Sequence, residues 1–227
     1  NGKVITTVVS TPMIDVVAPA KNVGVIKTLT GFKYIGEKIR QFENKEIDGT
    51  YILGFEESYG YLIGTHARDK DAIVSSLLIA EMAAFYNSKG TSIYKELQKL
   101  YQEFGYYLEG IKSVTLTGKD GIEKMANLMT ELRETVKDRT IDKNIKIKRD
   151  FKTKKELIVA TGEEKDILLP VENVIQFVLE DDTYITARPS GTEPKIKFYF
   201  SVNAPTKEEV EKKLNETMEK FVATLKL

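Results

Sequence analysis

Hydrophobic positions along the chain follow two different rhythms, one in each half. Val4 to Val9 is a β-branched run with no charged residue, the pattern of a strand covered on both faces. Ser10-Thr11-Pro12 reads as a cap followed by proline at the first helical position, with a helix expected through about Lys21. Val25 to Leu29 and Tyr51 to Phe55 read as two further strands, separated by a helix running from Thr30-Gly31 to about Phe42. Asp71 to Phe85 is apolar nearly all round, which predicts a buried helix. Thr91 to Phe104 is amphipathic, with Ile93, Leu97, Leu100 and Tyr101 on one face. Strands alternating with helices call for a mixed, mostly parallel sheet with helices on both faces.

From about Gly105 the order changes. One strand, Ile111 to Thr117, precedes a helix carrying Ile122, Met125, Ala126, Met129 and Leu132 at helical spacing. Asn144 to Phe151, Val174 to Leu179, Thr183 to Ala187 and Ile196 to Val202 read as four more strands. The last helix opens on a capping box, Thr206 to Glu209, and turns Val210, Leu214, Met218, Phe221 and Leu225 inward. This is the order of a small α+β domain with an antiparallel sheet. The expected domains are therefore 1–106 and 107–227.

Composition narrows the function classes. The 227 residues include 34 Lys plus Arg and 34 Asp plus Glu, so no net charge draws the chain to nucleic acid or membrane. The basic run Lys143 to Lys155 has no aromatic interleaving beyond Phe151 and reads as the solvated face of a strand. Cysteine is absent, which removes disulfide and thiolate chemistry and fits a reducing, cytoplasmic setting. No apolar run approaches the ~20 residues of a membrane span. The chain starts at Asn1 and enters a strand almost at once, as the tail of a longer protein would.

Two loops carry candidate chemistry. Arg188-Pro189-Ser190-Gly191-Thr192-Glu193-Pro194-Lys195 lies between two strands and is longer than a tight hairpin needs. It combines a planar cationic fork, two hydroxyls and a glycine that lets the backbone approach a ligand, the parts of a phosphate cradle. The bland reading is a polar connector in which Arg188 pairs with Glu193. Gly54 to Gly60 leaves the carboxyl end of a strand, the edge where parallel sheets bind ligands. In an extended segment Glu56 and Ser58 point to the same side, which suits a sugar's hydroxyls; the alternative is a solvated acidic turn. Thr30-Gly31 leaves the same edge and opens a helix N-terminus to an anion or polar ligand. His66 has no evident partner and reads as a surface residue. Arg68 and Lys70 bring positive charge beside the acidic loop, with Asp71 available as a helix N-cap.

Taken together these stretches resemble the α-D-phosphohexomutases. Arg188 to Pro194 resembles the phosphate-binding loop of their fourth domain, and Gly54-Phe55-Glu56-Glu57-Ser58-Tyr59-Gly60 the sugar-recognition loop of their third. Thr28 to Lys33 and His66 to Asp71 resemble the segments before and after that loop. The resemblance implies domains three and four of a four-domain phosphoglucomutase or phosphomannomutase. It implies that Thr30, Gly31, Glu56, Ser58 and Lys70 meet the sugar. Arg188, Ser190, Gly191 and Thr192 would hold the phosphate that is not transferred. Phosphohexomutases use a phosphoserine and Mg²⁺, passing through a bisphosphorylated sugar such as glucose 1,6-bisphosphate. The family's serine loop and aspartate-rich metal loop do not occur here, so no catalytic residue or metal ligand is assigned to this chain. Its expected partners are a phosphorylated hexose and the missing N-terminal half, and by itself it is expected to be inactive. A phosphopentomutase, a non-catalytic phosphosugar-binding module and a domain with merely polar loops are the alternatives.

Overall fold

The strand β1 (Gly2–Thr7) is the centre of the first sheet. It pairs in parallel with β2 (Gly24–Thr28) on one side and β3 (Thr50–Phe55) on the other. A short β4 (Tyr61–Ile63) joins β3 antiparallel, giving the order β2-β1-β3-β4. The helices between them are α1 (Ile14–Ala20) and α2 (Phe32–Glu43), followed by α3 (Ala72–Ser88) and α4 (Ile93–Phe104). This computed structural model describes residues 1–116, 120–134, 143–191 and 193–225. Two compact units divide the chain, Asn1–Gly105 and Tyr106–Leu227.

The core of unit 1 forms where α2 lies on the sheet: Ile5, Tyr51 and Leu62 meet Phe32, Ile35 and Ile39. Spacing of 3–4 residues puts those three α2 residues on one stripe. The first helix starts later than the proline signal suggests. The Ser10 hydroxyl lies 2.9 Å from that of Thr7 and caps nothing; Thr11 Oγ1 accepts from the Met13 N–H instead, at 3.3 Å. A turn thus precedes helical geometry at Ile14.

α3 contradicts its sequence reading more sharply. Asp71 caps it, accepting from the Ile73 and Val74 N–H groups, but Ser75 is its sole buried residue among those described. Ile73 is 84% exposed and Leu77 68%, so an all-apolar helix here is not a core helix. α4 likewise has no fully buried residue.

Among the described residues, unit 2 has one antiparallel sheet of seven strands, in the order β5-β11-β10-β9-β6-β7-β8. The strands are β5 (Tyr106–Thr115), β6 (Ile145–Asp150), β7 (Lys155–Ile158), β8 (Glu163–Asp166), β9 (Ile175–Leu179), β10 (Tyr184–Pro189) and β11 (Lys195–Ala204). The end of the expected first strand, Thr117, lies outside the described residues. Ile196, Phe198, Phe200 and Val202 alternate inward along β11 and pack with α5 (Gly121–Glu134) and α6 (Lys207–Thr224). Phe221 of α6 meets Phe198 and Phe200 edge-on, with ring centroids 5.3 and 5.6 Å apart. Thr206 caps α6 by accepting from the Glu209 N–H at 3.2 Å and donating to its carboxylate at 3.0 Å. The helical face of α5 is rotated from expectation: Leu128 is buried, whereas Ile122 is 69% exposed.

The basic run is not simply solvated. Lys146 pairs with Asp182, Arg149 with Glu156 and Lys155 with Asp166. Lys143 and Lys213 converge on Asp181.

Candidate functional site

The carboxyl ends of β1, β2 and β3 lie at one edge of the first sheet, since the three strands are parallel. The chain leaves β1 toward α1 and β2, and leaves β3 toward β4 on the opposite side. Such a divergence opens a crevice at the strand ends. The loop after β3 is a tight turn, not an extended segment: Glu56 N–H donates to the Gly60 carbonyl at 2.9 Å, and Tyr59 adopts a positive φ of 62°. Glu56 and Ser58 therefore converge by the turn's curvature instead of by strand alternation. Ser58 Oγ donates to Glu56 Oε2 at 3.4 Å.

Glu56 is buried, with 6% exposure, which excludes the solvated acidic turn for this residue. Its Oε1 accepts the Gly31 N–H at 2.9 Å, where Gly31 precedes α2 with φ 115°. A side chain at Gly31 would be strained in that region of backbone space. The N–H that the sequence offered to an anion is thus already bonded to a carboxylate. Thr30 beside it is half-buried. The neighbouring Glu57 is fixed separately, accepting from Thr7 Oγ1 at 2.9 Å at the end of β1. Two successive carboxylates so hold the turn to the end of β1 and to the N-terminus of α2.

Lys70 completes the cluster. Its stem passes Gly60, and its ammonium lies 5.7 Å from the centroid of the Phe32 ring while pairing with Asp69 at 3.2 Å. A cavity of 740 Å³ adjoins it, lined by Lys33, Gly36, Glu37, Arg40 and residues 67–70. His66 does have a partner: its Nε2 lies 2.8 Å from Asp71 Oδ2. That contact and the two N–H groups of α3 hold the Asp71 carboxyl below the usual carboxylate range.

The second candidate loop belongs to unit 2. Arg188 and Pro189 are the last residues of β10 and Lys195 the first of β11, so the loop proper is 190–194. Ser190 N–H donates to the Lys195 carbonyl at 2.7 Å, and Glu193 N–H donates to Ser190 Oγ at 3.3 Å. Leu116 N–H donates to the Pro194 carbonyl at 2.8 Å and pins the far side. Gly191 is exposed, and among the described residues beyond its chain neighbours none comes within 4 Å of the position a Cβ would take. Thr192 lies outside the described residues. Arg188 Nε is buried without a hydrogen-bond partner among the described residues. Among the described residues no ion pair joins Arg188 to Glu193, so the polar-connector reading loses its central contact.

Known proteins resemble this chain along nearly its whole length. The sequence model of phosphoglucomutase/phosphomannomutase, alpha/beta/alpha domain III, matches residues 1–104. The phosphoglucomutase of Staphylococcus aureus strain MRSA252 is 35% identical over 211 residues, 93% of this chain. Residues 1–104 thus belong to that domain family, and the chain as a whole is similar to phosphoglucomutases. A second relative, the phosphoglucomutase of Staphylococcus haemolyticus, is 33% identical over 207 residues. Among solved structures, the open form of the Paramecium phosphoglucomutase pp63/parafusin superposes with a TM-score of 0.67 at 18% identity. It covers 98% of this chain and shows the shared fold. A phosphoglucomutase/phosphomannomutase family protein from Burkholderia thailandensis gives 0.53 at 14% identity. The chain spans 38% of the S. aureus phosphoglucomutase and 37% of the Paramecium protein.

Several neighbours of the candidate residues escaped the sequence reading. Thr7 and Phe32 read there as strand and helix residues, and Gly60 as the end of a loop. Their contacts join positions tens of residues apart, for which a single sequence carries no signal.

Proposed function

We propose that this chain binds a phosphorylated hexose as part of a longer phosphohexomutase that interconverts hexose 1-phosphate and hexose 6-phosphate. The observation that carries the reading is Arg188: its Nε is buried with no partner among the described residues, and such an N–H costs free energy until an acceptor such as a phosphate oxygen meets it. The fork geometry of arginine matches two phosphate oxygens. Ser190, Gly191 and Thr192 would supply hydroxyl and backbone donors around the same phosphate, the one that is not transferred. In unit 1, Glu56 and Ser58 accept sugar hydroxyls, Thr30 and Gly31 line the same edge, and Lys70 contacts the phosphosugar. Their contribution is orientation: a fixed sugar presents either end of a bisphosphorylated intermediate for transfer.

Phosphoryl transfer itself lies outside this chain in the proposed reading. Among the described residues no group of three or more His, Asp or Glu is placed to hold a metal ion. The residues described do not fit the Mg²⁺ that the family resemblance implies, so no step is assigned to a metal here. The partner is then the remainder of a mutase chain, and the exposed apolar surface of α3 is the face this unit offers it. The Phe-Glu-Glu-Ser-Tyr-Gly form of the loop favours glucose over amino sugars.

The test is a calorimetric titration of the 227-residue chain with glucose 1,6-bisphosphate, with inorganic phosphate as control. Expected is binding in the millimolar range, on the order of 4 kcal/mol. Arg188→Ala should weaken it at least tenfold, about 1.4 kcal/mol, with a smaller loss for Glu56→Ala. Binding indifferent to both substitutions, or none at ~10 mM ligand, would overturn the assignment.

A further inference from the structure

Gly60 closes the turn that carries Glu56, yet its backbone is not in the left-handed region, so conformational freedom does not account for the glycine. Space does. A Cβ at this position would lie 2.8 Å from Lys70 Cδ, 3.3 Å from Lys70 Cγ and 3.2 Å from Glu56 Oε2. The missing side chain is a slot: the Lys70 stem occupies it, with the Glu56 carboxylate against the same point. From there Lys70 reaches forward to the Phe32 ring, at the start of α2 and one residue from the Gly31 N–H that Glu56 accepts. Three stretches of chain, the 56–60 turn, Lys70 and the Gly31–Phe32 entry to α2, are therefore linked around Gly60.

We propose that Gly60 is a positioning residue for Lys70: its bare backbone lets the stem lie across the Glu56 turn and sets the ammonium over the N-terminus of α2. The inference rests on the phosphosugar reading above and deepens it. A ligand that offers hydroxyls to Glu56 meets the Lys70 cation at a fixed offset, so the site selects sugars bearing an anionic group at that offset over neutral sugars. Phe32 supports the same placement, because an ammonium is attracted to the face of an aromatic ring. A methyl group at Gly60 displaces the flexible stem without breaking core packing. The consequence is lost placement, not lost fold.

The experiment is a double-mutant cycle of Gly60→Ala and Lys70→Ala in the full chain, titrated with glucose 1,6-bisphosphate and with glucose. In parallel the lysines are ¹³C-dimethylated and the Lys70 methyl resonance is followed without ligand, where the Phe32 ring shifts it. Gly60→Ala is expected to weaken bisphosphate binding about fivefold or more, to move the Lys70 resonance, and to leave the unfolding temperature within about 2 °C of the parent. In the Lys70→Ala background the same substitution should have a much smaller effect on binding, since no stem remains to displace and only the 3.2 Å approach to Glu56 Oε2 is left. A loss of equal size in both backgrounds, unchanged affinity, or an unmoved Lys70 resonance would each overturn the inference. If the parent chain binds no bisphosphate while the resonance moves, the phosphosugar reading fails and the positioning of Lys70 stands. An unmoved resonance in that case defeats both.

Discussion

Among the described residues, unit 2 gathers seventeen buried apolar residues into one core and unit 1 gathers six, although unit 1 carries the more apolar helix. Along β11 and α6 of unit 2, hydrophobic periodicity and burial agree. The inward side of β11 and the apolar stripe of α6 meet, and Phe221 seals the contact. In unit 1 they part company: α3 has Glu81 as its one charged residue in seventeen, yet leaves Ile73, Leu77, Leu78, Ile79, Met82 and Phe85 exposed. Hydrophobicity states a demand for cover; it does not say that this chain supplies the cover. Stability within each unit should follow burial and ignore hydrophobicity.

The largest effect is therefore expected in the unit 2 core. Phe198 is fully buried, so Phe198→Ala removes a ring and its edge-on contact and should cost about 3–5 kcal/mol. Amide exchange separates the units: protection should collapse across β10, β11 and α6 and persist in β1 and β3. A loss shared equally by both units would mean that they unfold as one.

Opposite pH limbs sharpen the comparison next. Burial alone would raise the Asp181 carboxyl, but hydrogen bonds from Lys143, Lys213 and the Thr183 N–H outweigh it and hold its pKa at about 2. A depressed carboxyl stabilises above its unfolded value, so this contribution, of the order of 2 kcal/mol, is lost as pH falls from about 4 to 2. In unit 1 burial pushes Tyr51 up to about 12, partly offset by a backbone hydrogen bond at Gly54. Its hydroxyl donates to the Leu62 carbonyl at 2.6 Å, a bond that requires the proton. Here stability is complete below about 10 and falls as pH rises toward 12. Asp181→Asn should flatten the acid limb of unit 2, and Tyr51→Phe, costing about 1 kcal/mol at neutral pH, the alkaline limb of unit 1. Denaturation followed by amide exchange across pH 2–12 checks both. An acid limb that survives Asp181→Asn would remove this carboxylate from the account.

What could be read from the sequence follows the same division. The three parallel strands, the hairpin of β10 and β11 and the face of α6 were legible because period and burial coincide there. β7 and β8 were not: Lys155–Ile158 and Glu163–Asp166 form an edge hairpin in which β8 is charged and exposed throughout, and the four half-buried or exposed residues of β7 are too few to show an alternation. β4 is only three residues long. The loops at the strand ends were legible as loops. The bonds that shape them were not, since Glu56 to Gly31 and Thr7 to Glu57 join positions that only the parallel sheet brings together. α3 misled because an all-apolar pattern states that a helix will be covered without naming what covers it.

The smallest expected effect tests that last point most directly. Leu77 is 68% exposed, so replacing it removes little buried area within this chain. Leu77→Lys should change the stability of unit 1 by no more than about 0.5 kcal/mol, as for ordinary surface substitutions. The same change in a core helix would bury an unpaired ammonium and unfold it. Colloidal behaviour should move the other way, because a contiguous apolar patch drives association and a lysine in its middle breaks it. Light scattering over a concentration series should show less self-association for Leu77→Lys than for the parent, with unchanged exchange protection in β1, β3 and α2. Loss of that protection would mean that α3 belongs to the core of unit 1 after all, and that apolar pattern and burial agree in both units.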